Sequence, residues 1–358
     1  MKRATIRDVA EAAGVSISTV HQALNGKSGV SQATRERICR LAEEMGYQPN
    51  ALASGLKRKP RVIAVMLPSE GGNNRFYYPP IWRGVREYLE SVADLNVETI
   101  ELPYTARDPA LSEEIVVLRE LIEEHRIDGL LTVGHMDALS AGEWDAMNRD
   151  GIAVVQTGSD NALSHSLCCI QPDYDVIGRT MAELIFSRIP PFGSVVLCAG
   201  NPKWLAHSLV VRGFDAYIEE NGIPNLVYRN YFWDTSEAAY QAILEQIRRP
   251  DVAACCSVLS QGSVLMGRAL EESGKAGRLL AVGSDLSDES IDRLRRGVLS
   301  NILQKNPYAQ GYLGAKSLVE YLVQGRRPEQ RDVRVGSEVV FRSNLVMYDK
   351  GNYRSLLI

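Results

Sequence analysis

The stretch TIRDVAEAAGVSISTVHQALNG, residues 5–26, determines the fold of the N-terminal part of this chain. Its pattern predicts two short amphipathic helices separated by a tight turn. Apolar residues recur at helical spacing across residues 6–13, and Thr5 can cap that helix. Gly14 ends it, because glycine adopts the left-handed conformation after a helix without steric cost. Ser16 can then cap the second helix.

A third helix follows and completes a small helical domain. Ser31 can cap it, and its apolar stripe consists of Ile38, Leu41, Ala42 and Met45. Two helices joined by a tight turn and backed by a third are typical of a helix-turn-helix domain. We therefore predict an all-α helix-turn-helix head at residues 1–48.

Charge is unevenly distributed along the chain. Residues 1–60 contain ten Lys and Arg against five Asp and Glu, a net charge of +5, and the remaining 30 basic and 39 acidic residues give −9. A basic head on an acidic body suits a polyanionic partner for the head, since phosphate neutralisation supplies much of the non-specific affinity for nucleic acid. Charge alone leaves open the alternative of a basic, solvated surface without a partner.

The second helix exposes side chains that could read DNA. Residues near the start of a recognition helix reach base edges in the major groove, where glutamine can pair with adenine and an apolar group can touch a thymine methyl. We predict base contacts for Ile17, Ser18 and Gln22. We predict phosphate contacts for Thr19, His21, Asn25 and Ser31. The alternative is a protein-binding three-helix module in which these residues are merely solvated.

A linker of different composition, residues 49–60, follows the head. It contains the helical segment ALASGL and then a basic run at residues 57–59. Leu56 is unusual there, since an apolar side chain beside basic residues can wedge between base steps in the minor groove. The alternative is a plain tether in which Leu56 packs on the body.

From Arg61 onward, apolar strand-like runs alternate with amphipathic helical stretches. The runs lie at residues 62–67, 97–102, 129–133, 153–156, 195–198, 252–257 and 279–282. This alternation is typical of an α/β fold in which helices cover parallel sheets on both faces. Residues 61–358 are too many for one sheet. We predict a two-lobed body, with lobe 1 at about 61–158 and 287–320 and lobe 2 at about 162–285 and 321–345. Ligands bind such sheets at the carboxyl ends of the strands, here in the cleft between the lobes.

Several functional classes are disfavoured by composition and motifs. The six cysteines include two adjacent pairs in apolar runs, whose side chains point to opposite faces of a strand, so we expect reduced core cysteines. The five histidines show no metal-ligand spacing and no lysine-bearing phosphate loop is found, so we expect neither metal nor cofactor. The chain starts without an apolar signal region and has no run long enough to span a membrane. These features favour a cytoplasmic protein over an exported solute-binding protein.

The head and linker resemble the LacI/GalR family of repressors. The resemblance rests on TIRDVAEAAGVS at residues 5–16, Thr19-Val20, Val30-Ser31, Thr34-Arg35 and GYQPNA at residues 46–51, followed by Ala53 and Leu56. It implies a homodimer on a pseudo-palindromic DNA operator, with the recognition helices in the major groove. It also implies that the linker helices of the dimer pair in the minor groove and that Leu56 intercalates. The DNA contacts that it adds are Thr5, Ser16, Asn50 and Ala53.

Two residues of the recognition helix depart from the family pattern. His21 stands where the family usually has serine, and Gln22 stands where it often has arginine. We therefore expect an operator half-site that differs from the common one.

The body resembles the periplasmic-type sugar-binding domains that this family shares with ribose-like binding proteins. The implied effector-binding residues are Asn74, Phe76, Tyr77, Tyr78, Asp173, Trp233, Gln261, Asp285 and Gln304. Aromatic faces pack on the C–H side of a sugar ring, while amides and carboxylates bond its hydroxyls, so we predict a sugar or polyol effector. Ordinary roles remain open, because an aspartate at a strand end can cap the next helix and an aromatic residue can serve packing.

The body also departs from the family pattern at two places. Val210 replaces an arginine of the family, and Gln261-Gly262 replace an Asn-Asp pair. These changes remove two strong polar contacts and open the cleft to polyols, modified sugars or less polar effectors. The predicted function is a ligand-responsive transcriptional repressor and not an enzyme. The alternative is a sugar-processing enzyme with a fused DNA-binding head, in which Asp173 and Asp285 form an acid/base pair.

Overall fold

The computed structural model describes residues 6–24, 29–45, 59–105, 112–136, 138–232 and 235–348. The chain separates into a small helical unit, mainly residues 1–60, and a large α/β unit that begins at Arg61. Among the described residues, no helix is both long enough and apolar enough to cross a membrane.

Three helices form the small unit, as the sequence predicted: α1 (Ile6–Ala13), α2 (Ile17–Leu24) and α3 (Gln32–Glu44). Ser16 Oγ accepts a hydrogen bond from the backbone N–H of Thr19, and Ser31 Oγ accepts one from that of Thr34, so both serines cap the helices that follow them. The shared core of the three helices consists of Val9, Ala10, Ala13, Val20, Ala23, Ile38 and Ala42. One apolar stripe per helix is therefore enough to close this unit.

The large unit contains two six-stranded sheets, one in each lobe. The strands of lobe 1 are β1 (Arg61–Pro68), β2 (Val97–Tyr104), β3 (Gly129–Val133), β4 (Ala153–Thr157), β5 (Cys168–Pro172) and β11 (Asp332–Val335). They are ordered β11-β5-β4-β3-β1-β2, and all neighbours pair in parallel.

Lobe 2 repeats this arrangement with one antiparallel edge. Its strands are β6 (Ser194–Cys198), β7 (Val227–Asn230), β8 (Val252–Ser257), β9 (Leu280–Ser284), β10 (Asn301–Gln304) and β12 (Glu338–Val340). They are ordered β12-β10-β9-β8-β6-β7, and β12 runs antiparallel to β10. The two parallel sheets confirm the predicted fold class.

Helices cover the sheets of both lobes. Their bounds are α4 (Tyr78–Ser91), α5 (Glu113–Glu123), α6 (Ala141–Arg149), α7 (Tyr174–Phe186), α8 (Leu205–Glu220), α9 (Glu237–Arg248), α10 (Ser260–Glu272), α11 (Asp288–Arg295) and α12 (Pro307–Gln324). Helix α12 packs against α4 and against β3, β4 and β5, and so belongs to lobe 1. Helices α7 and α8 pack against each other in the core of lobe 2.

Each lobe contains a pair of helices that cross in backbone contact. A Cβ atom added to Gly311 of α12 would lie 2.0 Å from the carbonyl oxygen of Ile81 in α4. A Cβ atom added to Gly178 of α7 would lie 2.0 Å from the carbonyl oxygen of Val210 in α8. Real Cβ atoms do not approach an oxygen so closely, so glycine is required at both crossings and the helices of each pair are held at a fixed separation.

The predicted boundaries of the two lobes are wrong. Strand β5, predicted in lobe 2, pairs with β4 of lobe 1, whereas β10, predicted in lobe 1, pairs with β9 of lobe 2. The segment at residues 321–345 is divided, because β11 joins β5 and β12 joins β10. The chain therefore crosses between lobes near Asp173, Lys305 and Gly336. Pairing between distant strands, which local composition does not reveal, decides the lobe to which each segment belongs.

Candidate effector cleft and DNA-binding surface

A cavity lies between the two lobes, where the sequence predicted the cleft. The lining residues that matter below are Tyr77, Tyr78, His135 and Thr157 from lobe 1 and Tyr174, Trp204, His207, Val210, Val258, Leu259, Gln261, Asp285 and Lys305 from lobe 2. With its mouth, the cavity encloses about 730 Å³. A cleft between two lobes that is lined by aromatic and polar side chains is a common place for a small-molecule site.

Four of the predicted effector residues lie on the cavity wall. They are Tyr77, Tyr78, Gln261 and Asp285. Tyr77 and Tyr78 meet edge to face at the start of α4, and burial raises the pKa of both hydroxyls, so they stay protonated. The structure thus brings together candidates from both lobes.

Four other predicted effector residues do not line the cavity. Asp173 caps α7, because its Oδ1 accepts a hydrogen bond from the backbone N–H of Val176 at 3.1 Å. Gln304 is buried inside lobe 2, where its Oε1 accepts from the backbone N–H of Leu286 at 3.1 Å. The remaining two, Asn74 and Phe76, belong to the 3-10 helix Gly72–Phe76, in which the Phe76 ring is buried. The ninth candidate, Trp233, lies outside the described residues.

A buried ion pair forms the floor of the cavity. Lys305 Nζ lies 2.8 Å from Asp285 Oδ2, and the two side chains are 8% and 1% exposed. Lys305 Nζ also donates to the carbonyl oxygen of Val258 at 2.9 Å and to Ser284 Oγ at 2.7 Å. Asp285 Oδ2 accepts further hydrogen bonds from Ser260 Oγ and Ser284 Oγ. The ammonium group thus ties together the ends of β8, β9 and β10.

Aromatic rings form one side of the cavity and join the lobes. The ring of His135, which follows β3 of lobe 1, stacks on Trp204 of lobe 2 with centroids 5.2 Å apart and planes 25° apart. Trp204 in turn contacts His207, at 5.2 Å and 49°. The backbone N–H of Asn201 donates to His207 Nδ1, so the proton of the neutral ring is on Nε2.

Both cavity histidines are neutral at pH 7. Burial lowers the pKa of His135 to about 4. Burial also lowers the pKa of His207 to about 3, with smaller contributions from the positive charge of Lys305 and from His135. The rings therefore act as aromatic surfaces with one donor and one acceptor each, not as cations.

Polar contacts also join the lobes at the mouth of the cavity. Gln261 Nε2 donates to the carbonyl oxygen of Asn73 at 3.1 Å, and Thr235 Oγ1 donates to Asn73 Oδ1 at 3.0 Å. Arg75 and Glu289 approach to 3.5 Å. The segment after β1 is thus attached to lobe 2 and covers one side of the cleft.

Sequence reasoning missed His135, Trp204, His207 and Lys305. The histidines were tested against metal-ligand spacing, which they lack. A positional signal could have found two of the four residues, because His135 lies just beyond β3 and Lys305 directly follows β10. Residues at these strand ends face the cleft in this type of fold.

The neutral histidines predict that the large unit loses stability on acidification. Because their folded pKa values lie below the unfolded value, the unfolded chain binds more protons between about pH 6.5 and pH 4, and stability falls as the pH falls. If each ring were fully buried, the free energy of unfolding would fall by about 2 kcal/mol per histidine between pH 7 and pH 5. The rings are partly exposed to the cavity, which reduces this loss to about 1 kcal/mol per histidine. Urea unfolding at both pH values should show a smaller loss for His207→Gln than for the wild type; an equal loss would count against burial of the neutral ring.

The predicted DNA-contacting residues that can be described lie on or beside α2. Ile17 is 43% exposed and Ser18 is exposed, while Thr19 and Gln22 are half-buried. The hydroxyls of the predicted contacts Ser16 and Ser31 cap α2 and α3. Outside the described residues lie Thr5, Asn25, Asn50, Ala53, Leu56 and the side chain of His21.

Comparisons with known proteins agree with both halves of this description. Residues 63–327 match the family model described as periplasmic binding protein domain, and residues 5–50 match that of bacterial regulatory proteins, lacI family. Catabolite control protein A of Staphylococcus xylosus is 23% identical over 328 residues, which cover 89% of this chain and 92% of that protein. The HTH-type transcriptional regulator MalR of Streptococcus pneumoniae is 34% identical over 128 residues, or 36% of this chain and 38% of that protein.

Solved structures share the fold of the body. A crystal structure assigned as a LacI transcriptional regulator from Bacteroides fragilis superposes with a TM-score of 0.71 at 18% identity and covers 81% of this chain and 100% of that one. An ABC transporter solute-binding protein from Burkholderia graminis in complex with D-arabinose gives a TM-score of 0.69 at 19% identity, with 82% and 100% coverage.

The helix-turn-helix head and the two-lobed body together define a DNA-binding transcriptional regulator that responds to a ligand. By the match of residues 63–327, the chain belongs to the family of periplasmic binding protein domains, and its head, residues 5–50, matches the domain of bacterial regulatory proteins, lacI family.

Proposed function

We propose that this regulator is a cytoplasmic repressor that binds a pseudo-palindromic operator as a homodimer. An uncharged effector of the sugar or polyol class binds in the cleft and changes the affinity for DNA. The observation that carries the proposal is a cavity lined from both lobes of one chain that also contains a helix-turn-helix head. Allosteric coupling of about 1–3 kcal/mol between two such sites is typical.

The described part of the head supports direct reading of bases. Ile17 is an apolar side chain that is exposed to water at the start of α2. Contact with water does not stabilise such a side chain, so its exposure is better explained by a contact with DNA. Placed in the major groove, Ile17 would touch a thymine methyl, and Gln22, five residues further along α2, would reach an adenine. Two heads related by a two-fold axis would then read two half-sites of the operator.

The cleft supports binding rather than turnover. The enzymatic alternative needs two carboxylates that flank a glycosidic bond, and Asp173 and Asp285 were its candidates. Asp173 instead caps α7, and Asp285 is held in the ion pair with Lys305. Neither carboxylate is arranged as a general acid or base, so we propose that the protein is not an enzyme.

The DNA-binding part of the proposal predicts a specific loss on substitution of Gln22. We expect Gln22→Ala to weaken binding to the operator about 10–100-fold, the value of one lost bidentate base contact of roughly 1–3 kcal/mol. Affinity for random DNA should stay unchanged. The operator would first be selected from a random DNA pool with the full-length protein, and binding then measured by fluorescence anisotropy at fixed salt.

The matched control is Gln241→Ala, at an exposed glutamine of α9 in the body. It should bind operator and random DNA as the wild type does. If Gln22→Ala weakens both DNAs equally, or neither, α2 does not read bases through this residue. Selected sites without two-fold symmetry would contradict binding as a dimer.

A further inference from the structure

We propose that the cleft binds an uncharged glycoside whose flat, apolar aglycone packs against Trp204 and the apolar wall of lobe 2. The inference rests on the proposed function only in taking the cleft as the effector site. It narrows the effector class, because it disfavours free sugars and excludes phosphorylated and acidic ones.

The charged groups on the described part of the cavity wall are paired with each other. Within the described part of the wall, the formal charges at neutral pH are those of Asp285 and Lys305. Lys305 Nζ contacts three acceptors inside lobe 2, which use all its hydrogens, and Asp285 Oδ2 is bonded by three donors. A phosphate or carboxylate entering the cavity would find no free positive charge there, and burial of an uncompensated charge is strongly unfavourable.

Helix α8 forms one side of the cavity. His207 and Val210 lie three residues apart, on one face of the helix, next to Trp204 at its start. Val258 and Leu259, which follow β8, extend this wall. Val210 is 1% exposed and offers no hydrogen-bonding group. The accessible part of this side of the cavity is therefore formed by the half-buried rings of Trp204 and His207, with Val210, Val258 and Leu259 almost fully buried behind them.

A free sugar can place only its C–H face on such a wall. Hydroxyl groups at the edge of the ring that face the wall lose their hydrogen bonds to water without replacement, so a free sugar gains less there than a flat apolar group does. A flat apolar group gains free energy here, because it removes from water the part of the Trp204 indole that His135 and His207 leave exposed. The wall thus favours a ligand that has a flat apolar part.

Several neutral polar groups of the cavity can form hydrogen bonds to a ligand. Thr157 Oγ1 is fully buried and has no hydrogen-bond partner among the described residues. The Gln261 amide donates to Asn73 and keeps its carbonyl oxygen available, and the proton of the His207 ring is on Nε2. These neutral donors and acceptors match hydroxyl groups. A ligand that satisfies both parts of the cavity combines a sugar ring with an apolar aglycone.

Two kinds of compound share this chemistry, namely aryl O-glycosides and nucleosides. The probes are p-nitrophenyl glycosides of common pentoses and hexoses, ribonucleosides, the corresponding free sugars and the sugar phosphates. Binding to the full-length protein would be measured by thermal shift and by calorimetry. We expect at least one aryl glycoside or nucleoside to bind 10-fold or more tightly than its free sugar, and no saturable response to sugar phosphates. The compound class that responds identifies the aglycone.

Substitution of Trp204 tests the packing surface itself. Trp204→Ala should reduce the affinity for the aryl glycoside or nucleoside to that for the free sugar and leave the affinity for the free sugar unchanged, whereas Trp204→Phe should restore most of the difference. A purely structural role of Trp204 would lower both affinities together. The matched control is Phe192→Ala, at an aromatic residue that is 92% exposed, which should change neither affinity.

The outcomes separate this inference from the proposed function. If a free or phosphorylated sugar binds as tightly as the best glycoside, or if no glycoside or nucleoside binds, the inference is overturned. If a glycoside binds in the cleft but leaves operator affinity unchanged, the inference holds and the proposed effector response is contradicted.

Discussion

Lys305→Met is expected to lower the free energy of unfolding by about 3–5 kcal/mol, the usual cost of breaking a buried ion pair on one side. Methionine keeps the unbranched stem of lysine and lacks only the terminal ammonium group, so the loss comes mainly from the charge and not from a cavity. The Asp285 carboxyl group, 1% exposed, would lose its cationic partner and keep the hydroxyls of Ser260 and Ser284 as its remaining side-chain partners. Urea unfolding of the full chain followed by circular dichroism would measure the loss.

Two further variants make this prediction specific. Lys203→Met, at an exposed lysine before α8, should be as stable as the wild type. The double variant Lys305→Met/Asp285→Asn should regain about half of the loss, because it removes the uncompensated carboxylate. Asparagine also suits the φ of +60° that Asp285 adopts. Wild-type stability of Lys305→Met alone would mean that the pair does not hold the strand ends together.

Gly311→Ala is expected to be similarly damaging, by about 3 kcal/mol, at the upper end of overpacking effects. The added Cβ atom would meet a backbone carbonyl oxygen at 2.0 Å, and backbone cannot move aside as a flexible side chain can. Helices α4 and α12 would therefore have to separate. A fall in both melting temperature and urea midpoint would report the change.

A second glycine gives this prediction a matched control. Gly142→Ala, in the first turn of α6, adds a Cβ atom with no heavy atom within 4 Å and should be neutral or slightly stabilising, by up to about 1 kcal/mol. Gly178→Ala, at the crossing in lobe 2, should resemble Gly311→Ala. If Gly311→Ala and Gly142→Ala unfold alike, the crossing in lobe 1 is looser than the structure shows.

The three described helices of the small unit could be predicted from the sequence. Helix α1 begins and ends where the apolar periodicity and Gly14 indicated, and both capping serines act as expected. These features depend on residues within a few positions of one another, so the local pattern contains the information. The same holds for strands such as β3 and β6, whose buried runs are continuous.

Local sequence did not allow the lobe boundaries to be predicted. It also did not show which of the effector candidates line the cavity. Assignment of β5 to lobe 1 depends on its pairing with β4 and with β11, and β11 lies 160 residues further along the chain. A polar residue at a strand end also has two outcomes that local sequence does not separate. Asp173 caps a helix, whereas Asp285 forms an ion pair with a residue that the fold brings from another strand end.

The stack of His135 on Trp204 could not be predicted from the sequence either, since the two residues belong to different lobes and are 69 positions apart. No local sequence pattern indicates the contact. The rings meet because the two lobes pack against each other.

The three connections between the lobes have a mechanical consequence. Pro172 pairs with Val335 and Gln304 pairs with Glu338, so the connections leave neighbouring strands at one edge of each sheet and run side by side. Three connections in a row form a hinge. Such a hinge bends readily about one axis and resists twisting and sliding. Within each lobe, two helices are in backbone contact, α4 with α12 and α7 with α8, and this contact makes the lobe rigid. If the proposed effector binds in the cleft, we therefore expect its free energy of binding to be coupled to one opening and closing motion of the lobes.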